Sequence, residues 1–241
     1  MKSLILVFLA GILALPAAWA QSIHAVTEAT AYSFLKQGKV VGTATEVVEL
    51  SLKQAGFADY QISLYPWARS YDMALKEPNV LIYLIARTPA REQQFKWAGE
   101  IMKIQYHFYR LKERNVVVKT LADAKNYTIG VLRDDVRHQF LKEKSFTRLV
   151  VLAQQADLFR QLLSGQIDLI PLTEGDAASL CKEANVHCDS LEKIFTLDVL
   201  STGLYMAYSN STPDSVVERT KVAFEKLKAA GTIKNIMEKK S

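Results

Sequence analysis

The stretch VLIYLIARTPAREQQFKW, residues 80–97, opens with an almost unbroken apolar run from Val80 to Ala86, then sets Arg87 and Arg91 around Thr88-Pro89-Ala90. A short apolar run that ends in turn residues reads as a strand buried on both faces, the kind found in parallel sheets covered by helices. Ligands of open α/β sheets sit outside the carboxyl ends of such strands. Two guanidinium groups directly beyond one are therefore candidates for a ligand site.

The pattern continues on both sides. TATEVVELSLKQAG (43–56) reads as helix, YQISLY (60–65) as strand, and WARSYDMALKE (67–77) as a helix stopped at Pro78. Later, YTIGVL (127–132) reads as strand, Asp135 to Lys144 as helix and RLVVL (148–152) as strand. Gln154 to Leu163 follows as a helix stopped at Gly165, and IDLIPL (167–172) as strand. Alternating β and α units with apolar strands predict parallel sheets. Two series, separated by the extended-looking IMKIQYHFYR (101–110), predict two lobes. The polar loops ARTPARE (86–92) and PLTEGDA (171–177) occupy equivalent places in them. Near the end, Thr212 is the expected N-cap of a helix with Pro213 in its first position and Gly231 beyond its last.

At the amino terminus Lys2, the apolar segment Leu4 to Leu15, Pro16 and Ala18-Trp19-Ala20 form a secretory signal pattern with cleavage expected after Ala20. The apolar core is shorter than the ~20 residues of a bilayer span; an anchor is the alternative. Net charge is +5, with the basic residues dispersed and not interleaved with aromatics. That argues for a solvated surface and against nucleic acid. Cys181 and Cys188 in CKEANVHC suit a short-loop disulfide in an exported chain, with two buried thiols as the alternative. Histidines 24, 107, 138 and 187 have no ligand-like spacing, so neither a metal nor a cofactor is expected.

Six segments in order carry a resemblance: TEATAYSFLKQGKVVGTATEVVELSLKQAG (27–56), YPWARSYDMAL (65–75), ARTPAREQQFKWAGEI (86–101), YTIGVLRDDV (127–136), LLSGQIDLI (162–170) and YMAYSNSTPDSVVERTKVAFEKLKAAGTI (205–233). Together they resemble the bacterial extracellular solute-binding proteins of family 3, associated with polar amino-acid uptake. The resemblance implies a two-lobed periplasmic-binding-protein fold of type II, with crossover strands near residues 103–109 and 200–205. Lobe one would comprise residues 21–104 and 205–241, and lobe two residues 105–204. It further implies a monomer that closes by hinge motion on a small-molecule ligand and serves the membrane permease of an ABC importer.

In the family a T-x-x-R turn places an arginine on the ligand's α-carboxylate, and Thr88-Pro89-Ala90-Arg91 matches it. Arginine suits that task because its planar fork makes bidentate, charge-assisted bonds. Pairing of Arg91 with Glu92 or Glu100 is the alternative. Arg87 stands open between the cleft and a pairing outside it. Trp67 and Tyr32 are candidate aromatic walls, or core, and Arg69 a further cation. The match breaks in the second half. Where relatives carry a small neutral turn, this chain has LRDDV (132–136), in which Asp134 and Asp135 either cap a helix or meet a ligand and Arg133 offsets their charge. Thr173 stands where an amine-binding aspartate is expected, with Glu174 beside it. A zwitterion held by Arg91 and Glu174, and a cationic or otherwise polar molecule using Asp134 or Asp135, both remain open. A non-enzyme is expected, because no G-x-S-x-G elbow, Ser/His/Asp set or phosphate-cradling loop is present. The alternatives are a sensing module for a separate membrane receptor and a dehydratase-like enzyme on the same fold.

Overall fold

The computed structural model describes residues 22–239. The expected signal segment lies outside them. β1 (Ile23–Thr27) leads into a small hairpin of β2 (Phe34–Lys36) and β3 (Lys39–Val41). Then follow α1 (Thr43–Gln54), β4 (Tyr60–Leu64), α2 (Trp67–Lys76), β5 (Val80–Ala86) and the long β6 (Phe95–Ile104). The second series runs β7 (His107–Leu111), β8 (Ile129–Leu132), α3 (Val136–Glu143), β9 (Leu149–Leu152), α4 (Gln155–Leu163), β10 (Ile170–Leu172), α5 (Glu174–Glu183) and β11 (Leu191–Thr196). The chain returns through β12 (Thr202–Ser209) and ends in α6 (Asp214–Ala229) and α7 (Thr232–Met237).

The first sheet has the order β4-β1-β5-β12-β6, with β12 antiparallel to both its neighbours and the others mutually parallel. In the second half β9 pairs parallel with β8, and β8 meets the start of β10 through a parallel bridge between Ile129 and Leu169. β10 then pairs antiparallel with β7, and β7 with β11. Both halves thus share one arrangement, mostly parallel with a single antiparallel strand next to one edge. In each sheet that inner antiparallel strand is the one entered directly from the other sheet, because β6 runs on into β7 and β11 into β12.

β5 is buried along its whole length, as its apolar run predicts, between α1 on one face and the rings of Trp67 and Tyr71 on the other. Seven consecutive buried side chains on a strand need an irregularity, and Leu84 supplies it. It sits at φ 60 opposite a register shift between Tyr205 and Met206, an added residue in the antiparallel ladder. The two passages between sheets, at residues 105–106 and 197–201, lie side by side. The Leu197 N–H donates to the Tyr106 carbonyl (2.8 Å) and the Gln105 amide to the Asp198 carboxylate (3.0 Å).

The cysteines are bridged, Cα to Cα 5.5 Å, tying the end of α5 to the turn before β11. Asp135 caps α3, its carboxylate accepting the N–H of Arg137 at 2.8 Å. The expectation for Thr212 is corrected. α6 begins one residue later than predicted, at Asp214, and the buried Thr212 hydroxyl instead accepts the N–H of Asn79, a residue at φ 58. That partner lies 133 residues away in sequence, beyond the reach of a local capping rule. No helix among the described residues is long and apolar enough to cross a membrane.

Candidate functional site

The carboxyl ends of β1 and β5, the start of α2, and the amino-terminal ends of α3 and α5 converge between the two sheets. Each brings one or two polar side chains because each strand stops there and hands its chain to a loop or helix. A slot of about 30 Å³ lies at the centre, lined among others by Glu28, Tyr32, Trp67, Arg91, Asp135 and Arg137. Its apolar walls are Leu84, turned in by the bulge, with Ala86, Val136 and Leu204. A chamber of about 310 Å³ adjoins it, sharing Glu28, Thr30, Gln155 and Asp176, and is walled by Phe34, Leu64, Tyr65 and Leu180.

Arg91 is 1% exposed and packs its guanidinium over the Tyr71 and Trp67 rings, 4.9 and 5.7 Å from their centroids. Its Nη1 donates to the Ala86 carbonyl (3.3 Å), and its Nη2 to the Asp134 carbonyl (3.2 Å) and Gln139 Oε1 (3.3 Å). Nε has no partner. The Asp134 carbonyl also accepts from Trp67 Nε1 at 3.1 Å and Gln139 Nε2 at 3.2 Å. Asp134 itself stands at φ 60, a conformation costing about 1–2 kcal/mol for a residue with a Cβ, which turns its carbonyl toward these donors.

Across the slot Arg137, 4% exposed, uses all three of its nitrogens. It pairs with Asp135, donates to the Pro171 carbonyl (2.9 Å) and to Gln155 Oε1 (3.4 Å), and stacks on Tyr106. Burial by itself would raise the Asp135 carboxyl, but the adjoining Arg137 charge and hydrogen bonds outweigh it and hold Asp135 below the ordinary aspartate range. Burial pushes the Tyr106 hydroxyl well up, so it stays neutral. Glu28 has no such compensation. Burial first, then the Asp135 and Asp176 carboxylates, push it up to about 8, opposed only by Arg137. Asp176 is held by the Thr173 hydroxyl (2.7 Å) and, across the cleft, by the N–H of Ala31 (3.3 Å).

Of the residues singled out in the sequence, the structure brings Arg91, Trp67, Tyr32 and Thr173 to the slot. Thr173 serves there as the N-cap of α5, accepting the N–H of Asp176 at 3.1 Å. Asp134 contributes its carbonyl to the Arg91 tie while its residue is exposed. Four others stand elsewhere. Arg87 pairs with Glu92 (2.8 Å) over the Trp97 and Tyr205 rings, because the turn at Pro89 directs it outward. Arg69, one turn into α2, covers the Tyr65 ring at 4.1 Å. Arg133 is exposed at the loop crest, and Glu174, in the first turn of α5, reaches out to Lys193 at 2.6 Å. Glu28, Tyr106, Arg137, Gln155 and Asp176 escaped sequence reasoning. Glu28 was within its reach, since it follows β1 at the carboxyl end of a parallel strand, as ARTPARE follows β5.

No protein-family profile matches the sequence, and no curated protein does. Solved structures do match in fold. A histidine kinase sensor domain with similarity to periplasmic binding proteins superposes at TM-score 0.81 with 16% identity, covering 90% of this chain and 94% of that one. The fold is the two-lobed one of periplasmic binding proteins. An ancestral arginine-binding protein bound to arginine matches at TM-score 0.78 and 18% identity (90% and 96% covered). An arginine-, lysine-, histidine-binding protein from Geobacillus stearothermophilus matches at 0.76 and 18% (90% and 94%). At such identities the likeness concerns the fold alone.

Proposed function

We propose that this chain is an exported solute-binding protein that captures a small polar solute between its two halves and passes it to the membrane permease of an ABC-type importer. It does so as a monomer and without catalysis. One observation carries the reading: Arg91, buried with an unpartnered Nε, meets Asp135, Arg137 and Glu28 from facing elements around a cleft spanned by only two adjacent passages. That arrangement supports hinge opening about residues 105–106 and 197–201. The fold neighbours that bind amino acids, and the short-loop disulfide suited to an oxidising compartment, support it further.

A thermal-shift screen over amino acids, amines, small carboxylates and neutral solutes tests it. A ligand that binds only the folded state raises the midpoint through RT ln(1 + [L]/Kd). A shift by one class that saturates with concentration supports capture; a flat response across all classes overturns it. A second reading, detection of the same solute for a separate membrane receptor, is favoured by the sensor-domain neighbour. Pull-down with a permease distinguishes transport from signalling.

A further inference from the structure

Both arginines of the cleft are committed to the chain itself. The terminal nitrogens of Arg91 all face protein acceptors, and Arg137 uses Nε and both terminal nitrogens on Asp135, Pro171 and Gln155. A carboxylate on either would have to share or displace bonds that these nitrogens already make to the chain. Of the six guanidinium nitrogens only Arg91 Nε has no hydrogen-bond partner, and Arg91 lines a slot that has room for about one water-sized group.

The chamber beside it has the opposite character. Its charged lining is Glu28, Asp176 and Glu183, with no lysine or arginine among them. Glu28 makes no hydrogen bond or ion pair among the described residues, and it lines both slot and chamber, close to the charges of Asp135, Arg137 and Asp176. Phe34 adds aromatic surface, which favours cations over anions, while the Tyr65 ring is already covered by Arg69. Among the described residues no group of three or more carboxylates, histidines or cysteines is disposed to hold a metal ion, so an organic cation fits better than a bare one.

Resting on the capture reading above, we infer that the solute is an organic cation without a carboxylate, an amine or guanidine seated in the chamber with its charge on Glu28 and Asp176. A zwitterionic amino acid would bring its carboxylate among three acids or against the apolar walls Leu84, Ala86 and Leu204, where both guanidinium groups already hydrogen-bond the chain.

The test uses pairs of probes that differ by one carboxylate: agmatine against L-arginine, cadaverine against L-lysine, putrescine against L-ornithine, with choline and Ca²⁺ added singly. Titration calorimetry on the purified protein should give at least one amine binding tenfold or more tighter than its amino acid. Glu28→Gln should weaken that amine at least tenfold, while Glu174→Gln, whose side chain points away to Lys193, leaves it unchanged. Asp176→Asn repeats the test should Glu28→Gln fold poorly. An amino acid that binds tighter than its amine overturns the inference, as does an amine whose affinity ignores both acids, or Ca²⁺ binding alone. In the thermal-shift screen, a response confined to anionic or neutral solutes overturns the cation while leaving capture standing, and silence from every class overturns both.

Discussion

The guanidinium of Arg91 reaches across the cleft and donates to the main-chain carbonyl of Asp134 at 3.2 Å, so a side chain next to the first sheet holds the backbone of the second half. Trp67 reinforces the tie from the same side. Arg91→Met removes three hydrogen bonds from a charged donor, each worth about 1.5–3 kcal/mol, and with part of that loss offset because a buried charge goes too, it should lower unfolding free energy by about 2–3 kcal/mol in urea titration. Small-angle scattering should show a larger radius of gyration for the variant. An unchanged radius would mean that the tie does not control closure.

The buried Asp135 and Arg137 stand or fall together. Removing one partner strands a charge, so Arg137→Met and Asp135→Asn should each cost about 3–5 kcal/mol in chemical denaturation. The double variant should recover much of the loss, and full additivity would argue against a coupled pair.

Glu28 gives the stability a pH signature. Its folded pKa is raised from 4.5 to about 8, so the folded state holds a proton that the unfolded state has released between those values. The folded state therefore binds more protons, and this contribution to stability is full below pH 4.5 and is lost as pH rises through 8. The midpoint of Glu28→Gln should fall less over that window. A cation that requires ionised Glu28 should bind with proton release at pH 7, visible as buffer-dependent heats.

Gly175, in the first turn of α5, comes so close to the other half that a Cβ there would lie 2.6 Å from the Tyr32 hydroxyl. Gly175→Ala should weaken solute binding several-fold, since the ring must move for closure. Stability without ligand should change by less than about 1 kcal/mol, the usual gain from glycine to alanine in a helix partly offsetting the crowding.

Reduction of the Cys181–Cys188 bridge opens a small loop, for which chain entropy predicts a loss of about 2–3 kcal/mol. Because α5 carries Asp176 into the chamber, reductant should also weaken cation affinity, measured side by side with the oxidised protein.

The strands and helices were legible because each is written in local periodicity. VLIYLIA is a buried strand in the structure as in the sequence, and Gly165, at φ 71, does stop α4. The site was less legible, since it depends on direction and distance. The T-x-x-R turn points to Arg91, but nothing local tells that Arg87, four residues before it, turns out to Glu92. Arg137 looked like an ordinary helical residue, and only the neighbouring Tyr106 and Pro171, brought in by other strands, make it a buried cation. Thr212 was misread because its hydroxyl serves a loop that folding brings alongside.

The exchange of strands between the sheets bears on synthesis. β12 lies inside the first sheet, between β5 and β6, yet it is made after everything in the second half. A growing chain therefore cannot complete its first sheet until residues 202–209 exist, and β6 has no partner until then. Pairings so distant in sequence form slowly. The first sheet thus locks only once nearly all of the chain has been made.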